Sequence, residues 1–251
     1  VYVPSKAKLI GNGATLRCPV SGFTNDGVLS GLPGMLANKS ARYLAGEAAD
    51  QDIEITGFQF VTGCGNAMGT IYLPNTVNAR IHDNKFEYQQ AASYTLAHVD
   101  CHHSNKNTLS DHNHFYHVST THNFGACVAF RNSNSTVESD GLTVRDNYFY
   151  KNGTANADEF MWINGATGVA RNCKVLNNHF RSGATDATAS VLTIYPFTNA
   201  GTITTSEVYN VIVAGNTFQH GSSVQHVILH GISGDVKPAH GLLIDANTFL
   251  I

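Results

Sequence analysis

Residues 142–149 read Leu-Thr-Val-Arg-Asp-Asn-Tyr-Phe, and this stretch decides the fold. Its pattern is apolar, any residue, apolar, two residues, Asn, any residue, Phe. Clear copies begin at residues 79, 173, 211 and 242, and weaker copies begin at residues 53 and 108. The Phe residues that end these seven copies lie 26 to 38 residues apart. Self-similarity at this period indicates a repeat architecture such as a solenoid or a propeller.

A second apolar run follows each of the first six Phe residues after roughly ten residues. These runs are Thr70–Leu73, Leu96–Val99, Val128–Phe130, Phe160–Ile163, Leu192–Ile194 and Val227–Leu229. Each unit is therefore expected to hold two alternating strands, each with one buried face. Two short strands bury their apolar face only when they stack on neighbouring units. The spacing between copies varies while the motif does not, so insertions are expected in the turns.

This variable spacing argues against a propeller, whose blades need four strands each, and against a six-residue left-handed repeat. The sequence predicts an all-β protein, a right-handed parallel β-helix (solenoid) of about seven coils, with residues 1–251 as a single domain. Asn84, Asn113, Asn147, Asn178, Asn216 and Asn247 share one position of the repeat. We expect them to form a ladder of side-chain amides at a bend, and the Phe residues to form a core stack.

Composition agrees with this fold and excludes several classes of protein. The chain holds 23 Gly and 24 Asn, residues that tolerate left-handed backbone at turns. Charged residues make up 13% of the chain and the net charge is −3, without a basic stripe, so nucleic acid is not an expected partner. No apolar run reaches the roughly 18 residues of a membrane span. The five cysteines show no Cys-x-x-Cys pair, which predicts buried free thiols from a reducing compartment.

The second runs also predict which side chains face outward. Strict alternation gives one outward column that contains His98, Ala129, Trp162, Thr193 and Ile228, and another that contains Asp100, Arg131, Asn164, Tyr195 and His230. Aromatic faces stack on sugar rings, and amides, imidazoles and carboxylates meet sugar hydroxyls. His98, Trp162, Asn164, Tyr195 and His230 are therefore candidate substrate-binding residues. Trp162 could equally cover a turn or lie beneath a loop.

Hydrolysis of a glycosidic bond needs two carboxylates. The candidate catalytic residues are Asp100, Asp158 and Glu159, with Arg131 on the coil between them. Two rungs of ~4.8 Å separate Asp100 from the two later acids, which favours an inverting hydrolase. A cross-strand ion pair of Asp100 with Arg131, and a solvated turn at Asp158 and Glu159, are the structural alternatives. Seven His lie within residues 98–122, but the ligand spacing of zinc enzymes is missing, so no metal site and no cofactor are predicted.

The repeated motif resembles that of the pectate-lyase-like right-handed β-helix superfamily. The opening residues, Val-Tyr-Val-Pro-Ser-Lys-Ala-Lys-Leu-Ile-Gly-Asn-Gly-Ala-Thr-Leu, resemble the first coil of phage tailspikes and related polysaccharide depolymerases. This resemblance implies binding and cleavage of a bacterial surface polysaccharide, with a glycoside hydrolase favoured over a lyase. It carries over no catalytic residue, because the signatures of pectate lyases and polygalacturonases are missing.

The resemblance also implies a longer protein, because Phe249-Leu-Ile251 ends the chain inside a core motif. The intact protein is expected to be a homotrimer on a virion tail or outside the cell, made in the bacterial cytosol. Two alternatives remain open. One is a non-catalytic adhesin or receptor-binding spike, and the other is a secreted uronan lyase or epimerase.

Overall fold

The computed structural model describes residues 1–17, 34–38, 48–62, 67–88, 95–102, 104–117, 124–131, 138–151, 160–164, 168–182, 190–195, 207–219, 225–229 and 240–250. Within these ranges the regular structure is β-strand throughout, and no helix occurs. All strand pairs are parallel, and nearly all strands belong to three long sheets, which we call sheets A, B and C. The predicted all-β architecture with parallel strands is confirmed.

The strands are numbered in chain order. Sheet A contains β1 (Tyr2–Val3), β4 (Leu36–Asn38), β8 (Ala67–Tyr72), β12 (Thr95–His102), β15 (Phe124–Arg131), β19 (Met161–Asn164), β22 (Ser190–Tyr195) and β25 (Gln225–Leu229). Sheet B contains β2 (Lys8–Ile10), β6 (Glu54–Thr56), β10 (Arg80–His82), β13 (Leu109–Asp111), β17 (Thr143–Arg145), β20 (Val169–Leu176), β23 (Glu207–Ala214) and β26 (His240–Asp245), and β16 (Glu138–Asp140) also pairs with β20.

Sheet C contains β3 (Thr15–Arg17), β7 (Gln59–Thr62), β11 (Lys85–Tyr88), β14 (His114–His117), β18 (Tyr148–Lys151), β21 (His179–Ser182), β24 (Thr217–Gln219) and β27 (Thr248–Leu250). A separate pair joins β5 (Asp50–Gln51) to β9 (Thr76–Val77). The chain visits sheets A, B and C in turn before it returns to sheet A, as β12, β13, β14 and β15 show. This order is consistent with a parallel β-helix.

Each unit holds three strands rather than the two expected from the sequence. The second apolar runs form sheet A as predicted, but each motif copy is divided between two strands. In residues 142–149, the first part of the motif forms β17 in sheet B and the end begins β18 in sheet C. Asp146, at a φ of 55°, turns the backbone between them. The sequence pattern does not reveal this division, because a single left-handed residue separates the two strands and the apolar pattern continues across it.

Left-handed residues recur at two bends of the unit. One column precedes the Asn position and contains Gly57, Asp83, His112, Asp146, Asn177, Gly215 and Ala246. A second column lies just before the short strands of sheet B, or within the longer strands β20, β23 and β26, and contains Lys6, Asp52, Asn78, Asn107, Gly141, Asn172, Asn210 and Gly241. Glycine, Asn and Asp reach this conformation with little steric cost, which explains why the chain is rich in Gly and Asn.

The core contains the predicted stack of Phe rings. Phe60, Phe86, Phe115, Phe149, Phe180, Phe218 and Phe249 follow one another with ring centroids 4.6 to 5.1 Å apart and planes within 14° of parallel. The first six rings are fully buried, and Phe249 is 46% exposed. Parallel pairing of sheet C places these residues in register. Offset stacking of such rings adds to the stabilisation from burial of their apolar area.

The predicted Asn ladder is also present. Asn147 is typical, because its backbone N–H and its side-chain Nδ2 both donate to Oδ1 of Asn178, at 3.0 and 3.1 Å. The same two bonds join Asn84 to Asn113, Asn113 to Asn147, Asn178 to Asn216 and Asn216 to Asn247. The Asn147 amide also donates to the carbonyl of Ser110, at 2.9 Å. The ladder therefore satisfies buried polar groups at the bend between sheets B and C.

Three of the five cysteines lie on described strands, as the apolar pattern predicts. Cys101, Cys127 and Cys173 are buried free thiols. Burial raises the pKa of all three thiols, that of Cys173 to about 12, so they behave as small apolar side chains. Cys18 and Cys64 lie outside the described residues. Among the described residues, no helix has the length and hydropathy to cross a membrane.

Candidate functional site

The strands of sheet A contain several of the residues that the sequence predicts for catalysis and sugar binding. Strand pairing aligns Asp100 with Tyr72 and Ala129, and Ala129 with Trp162. Arg131 aligns with His102 rather than with Asp100. The predicted columns are therefore wrong by two residues on β12. The alignment of Arg131 with Asn164 and Tyr195, and of Trp162 with Thr193 and Ile228, is as predicted.

His98 does not face outward. Its ring lies in the core, 5.4 Å from the centroid of Phe86 and 5.9 Å from that of Phe115, and the residue has no exposed surface. Burial, with a smaller effect of the charge on His117, lowers the pKa of His98 well below its ordinary value. A neutral imidazole in the core cannot contact a sugar at the surface, so the predicted outward position of His98 is wrong.

An irregularity in sheet A explains this error. On β15, the N–H groups of Cys127 and Val128 both donate to the carbonyl of Phe160, at 2.9 and 3.2 Å. Such a bulge breaks the alternation of side chains, so two successive residues point inward. Cys127 and Val128 both belong to the core. On β12, His98 likewise enters the core together with its neighbour Val99, which strict alternation does not allow.

Asp100 and Arg131 form a bidentate ion pair across adjacent strands. Nε of Arg131 donates to Oδ1 of Asp100 at 3.2 Å, and Nη2 donates to Oδ2 at 2.6 Å. The Asp100 side chain is wholly buried and that of Arg131 is 16% exposed. Burial raises the pKa of Asp100, while the charge and hydrogen bonds of Arg131 oppose this rise. The pair matches the structural alternative considered for these residues, and a catalytic role for it stays a prediction.

Tyr72 and His102 lie beside this ion pair in the strand register, and Trp162 lies on the next strand, β19. The Tyr72 hydroxyl lies 3.4 Å from Nδ1 of His102. Burial and the charge of Asp100 raise the pKa of Tyr72, so its hydroxyl stays protonated. Trp162 is half-buried against a small patch of alanines, Ala97, Ala126 and Ala129. It faces away from the core as predicted, and its part in sugar binding stays a prediction.

The remaining predicted residues carry less structural information. Asn164 and Tyr195 end strands β19 and β22, but their side chains lie outside the described part of the structure. Asp158, Glu159 and His230 lie outside the described residues altogether. The predicted separation of Asp100 from Asp158 and Glu159 therefore stays a prediction.

A second polar site, which the sequence did not predict, lies where β9 and β16 meet sheet B. A cavity of about 440 Å³ is lined there by Ala49, Asn75, Val77, Ser104, Lys106, Glu138, Asp140 and Arg171. We call it the β16 cavity. Backbone bridges join Val77 to Lys106 and Lys106 to Asp140, and strand pairing joins Asp140 to Arg171. Side chains from successive units therefore line one cavity.

Arg171 connects the two carboxylates of the β16 cavity. Its Nη2 lies 2.7 Å from Oε2 of Glu138 and 3.0 Å from Oδ2 of Asp140, and its Nε donates to the same Oδ2 at 3.0 Å. Asn172 donates to the other oxygen of Asp140 at 2.7 Å. Glu138 is the more exposed acid, with 44% of its side chain accessible against 30% for Asp140. Asp140 thus receives more donors than Glu138.

An aromatic and acidic strip continues from Arg171 along sheet B. Nη1 of Arg171 donates to the Tyr209 hydroxyl at 3.0 Å, and the Tyr209 ring stacks on His240 with centroids 5.2 Å apart. Nε2 of His240 lies 2.6 Å from a carboxylate oxygen of Glu207. The hydrogen bond with Tyr209, followed by the charges of Asp140 and Glu138, raises the pKa of Arg171, which stays a cation.

One sequence signal could have found this site. Glu138 and Asp140 stand two residues apart, so they share one face of a strand, and they come just before the motif copy that begins at Leu142. The predicted outward columns contain only residues in or beside the second apolar runs, and β16 lies outside these runs. Arg171 precedes the next motif copy, 31 residues after Asp140, and only strand pairing brings the two together.

Comparison of the chain with protein-family models, with curated proteins and with solved structures gives no match.

Proposed function

We propose that this chain is a right-handed parallel β-helix of about seven coils, of the pectate-lyase-like kind, that binds and hydrolyses a polysaccharide. The three all-parallel sheets, visited in turn, support the architecture. One observation carries the activity. Two carboxylates, Glu138 and Asp140, contact the same arginine nitrogen at the wall of an open cavity on the outside of the sheets.

The separation of these carboxylates favours a retaining mechanism. Oε2 of Glu138 and Oδ2 of Asp140 contact the same atom, Nη2 of Arg171, at 2.7 and 3.0 Å. The distance between these two oxygens therefore cannot exceed the sum of the two contact distances. Retaining glycosidases hold their two carboxyl groups about 5–5.5 Å apart, and inverting enzymes about 6.5–9.5 Å. This pair therefore suits a covalent intermediate, in contrast to the inverting reaction expected for Asp100 with Asp158 or Glu159.

The surroundings of the two acids suggest a role for each. Asp140 accepts hydrogen bonds from Arg171 and Asn172 and makes a second contact with the Arg171 guanidinium, so it is held in a fixed position and is assigned as the nucleophile. Glu138 is more exposed, and its described contact is the single one with Arg171, so it is assigned as the general acid and base. Two carboxyl groups in different environments are the usual basis of acid and base assignment.

The reaction then has two steps. Glu138 gives its proton to the glycosidic oxygen while Asp140 attacks the anomeric carbon, and the bond between that carbon and the oxygen breaks. In the second step, the Glu138 carboxylate takes a proton from water. The water oxygen attacks the anomeric carbon and displaces Asp140, which restores both acids. Tyr209 and His240 extend the site as a surface for neighbouring sugars.

The proposed substrate is a bacterial surface polysaccharide, as for a tailspike depolymerase, and the proposed intact protein is a homotrimer on a virion tail or outside the cell. The alternative is a non-catalytic adhesin, which would bind the polysaccharide without cleaving it. A uronan lyase or epimerase is less well supported, since two carboxylates and two cations, Arg171 and Lys106, line the β16 cavity and give it no basic excess.

The test is to incubate the chain with a panel of capsular and O-antigen polysaccharides and measure the release of reducing ends. Glu138→Gln and Asp140→Asn should each lower kcat by roughly 10³-fold or more while glycan binding persists. Proton NMR of the first product should show retention at the anomeric carbon. Asp100→Asn is the comparison variant, because it probes the acid predicted from the sequence.

Each outcome separates one hypothesis from the others. Loss of turnover in Asp100→Asn, with full turnover in Glu138→Gln and Asp140→Asn, would place the reaction on sheet A instead. An unsaturated product that absorbs near 235 nm would indicate a lyase. Binding without turnover by the unmodified chain would identify an adhesin, and the catalytic proposal would then be wrong.

A further inference from the structure

The outer face of sheet C carries aromatic and imidazole rings on three successive strands. Pairing of β14, β18 and β21 aligns His114 with Tyr148 and His179, and aligns Tyr116 with Tyr150 and Arg181. Alternation sends Phe115, Phe149 and Phe180 from the same strands into the core. We call these six outward residues the sheet C strip: His114, Tyr116, Tyr148, Tyr150, His179 and Arg181.

The rings of the sheet C strip contact one another across the three strands, with two rings on β14, two on β18 and one on β21. The centroid of Tyr148 lies 5.9 Å from that of His114 and 5.2 Å from that of His179. The centroid of Tyr116 lies 6.0 Å from that of Tyr148 and 6.2 Å from that of Tyr150. The tyrosines are half-buried and His114 is exposed, so parts of this strip remain accessible to solvent.

Cations and a cavity lie at the edges of this strip. The guanidinium of Arg181 lies 5.6 Å from the Tyr150 centroid, and the ammonium of Lys85 lies 5.3 Å from the Tyr116 centroid. Lys85 contacts Glu87 at 3.1 Å, whereas the described residues place no carboxylate in ion-pair contact with Arg181. A cavity of about 540 Å³ adjoins His114 and Tyr116, and Phe58, Asp83 and His112 also line it.

These observations point to a polymer of sugars as the occupant. Sugars bind to aromatic rings that have polar groups at their edges, and tyrosines interleaved with imidazoles are residues of this kind. Parallel strands repeat every ~4.8 Å, which is close to the length of one sugar residue in a chain. The rings run from strand to strand across the sheet, so a linear polymer along this direction meets one ring or imidazole per sugar.

We propose that the sheet C strip is a second glycan-binding surface, separate from the β16 cavity, and that it holds a polysaccharide chain across β14, β18 and β21. Arg181 favours a chain that carries carboxylate groups, because its charge is open to a ligand anion. This proposal shares its substrate class with the proposed function but does not depend on hydrolysis. In a depolymerase, such a surface keeps the polymer attached between cleavage events.

The test uses the Glu138→Gln/Asp140→Asn background, in which turnover is removed, on an array of bacterial capsular and O-antigen polysaccharides. Tyr148→Thr/Tyr150→Thr removes two rings but keeps residues that favour strands. We expect this variant to bind the retained glycans at least tenfold more weakly. Ile212→Thr, a half-buried outward position of sheet B, is the matched control and should bind as before. Arg181→Gln should weaken binding of uronate-containing glycans more than that of neutral ones.

Several results would overturn the proposal. Unchanged binding in the double Tyr variant would do so, as would the absence of any bound glycan on the array. Sedimentation provides a further readout, because a change from an oligomer to a monomer without a change in glycan binding would assign the strip to a second copy of the chain. Loss of binding in the double Tyr variant, with no hydrolysis by the unmodified chain, would support this surface and contradict only the proposed function.

Discussion

Arg131 on β15 holds the wholly buried carboxylate of Asp100 on the neighbouring strand β12 with two hydrogen bonds, of 3.2 and 2.6 Å. Asp100 has no exposed surface, so Arg131 rather than water satisfies its carboxylate. A buried charge that loses its partner is strongly destabilising, while replacement of the whole pair by apolar groups is often tolerated. Substitutions in this pair therefore test how much the ion pair contributes to the free energy of unfolding.

Arg131→Met should lower the free energy of unfolding by about 3–5 kcal/mol, because it leaves Asp100 buried without its cation. Asp100→Leu/Arg131→Met should recover most of this loss. Urea denaturation measures both. Lys8→Met is the control, since the Lys8–Glu54 pair is exposed and should contribute no more than about 1 kcal/mol. Equal stability of the single and double sheet A variants would contradict the prediction.

Asn147→Ala should lower stability by about 1–3 kcal/mol, because it removes the acceptor for the backbone N–H of the buried Asn113. Asn247→Ala, at the last rung of the ladder, should have a smaller effect. Its side chain is only partly buried and its neighbouring strands are solvent-exposed. Equal losses in the two variants would contradict the expected dependence of each rung's contribution on its burial.

The pH dependence of stability should include a contribution from His117. Burial, and then the charge of Lys151, lowers the pKa of His117 to about 3 from its ordinary 6.5. Between these values the unfolded chain gains a proton that the folded chain does not bind. The stability from this residue is therefore complete above pH 6.5 and falls as the pH decreases toward 3.

His117→Gln should make this acid slope shallower by at most about 1.4 kcal/mol per pH unit. His98 adds a slope of the same sign, so a remaining acid dependence is expected. Denaturation with urea at a series of pH values measures the difference. An identical slope in the variant and the unmodified chain would contradict the assignment to His117.

Ala246→Gly should increase stability by about 1 kcal/mol, because Ala246 has a φ of 49° and an alanine pays a steric cost there. Gly215→Ala, one unit earlier in the same column, should decrease it, since a Cβ would collide with Oδ1 of Asn177. Ala214→Gly, in the adjacent strand, is the control and should decrease stability by about 0.5–1 kcal/mol. Thermal denaturation would contradict the account if the three variants changed in the same direction.

The repeated motif predicts much of the fold because each of its parts acts within one unit. The Phe stack and the Asn ladder follow from identical residues at equivalent positions, which parallel pairing brings into register. The third strand of each unit was not predicted, because one left-handed residue such as Asp146 is enough to turn the backbone from sheet B to sheet C. Such a bend leaves no break in the apolar pattern.

The candidate sites were much harder to predict than the fold. His98 enters the core because a bulge adds one inward residue, and alternation alone cannot reveal a bulge. Alternation predicts Asp100 directly opposite Arg131, but strand pairing places His102 there, two residues after Asp100 on β12. Arg131 still reaches Asp100 because the arginine side chain is long. The Glu138 and Asp140 pair lies on a short strand that precedes a motif copy and belongs to none of the repeated runs.

The sequence by itself determined the parallel all-β architecture, the buried Phe and Asn columns and the frequent left-handed turns. These features depend on residue type at a repeated position, which is visible in one dimension. Only the tertiary structure decided that Arg171 joins Glu138 to Asp140, and that Tyr148 lies between His114 and His179. The physical reason is that units of unequal length stack by hydrogen bonding between strands, so contacts between units depend on register.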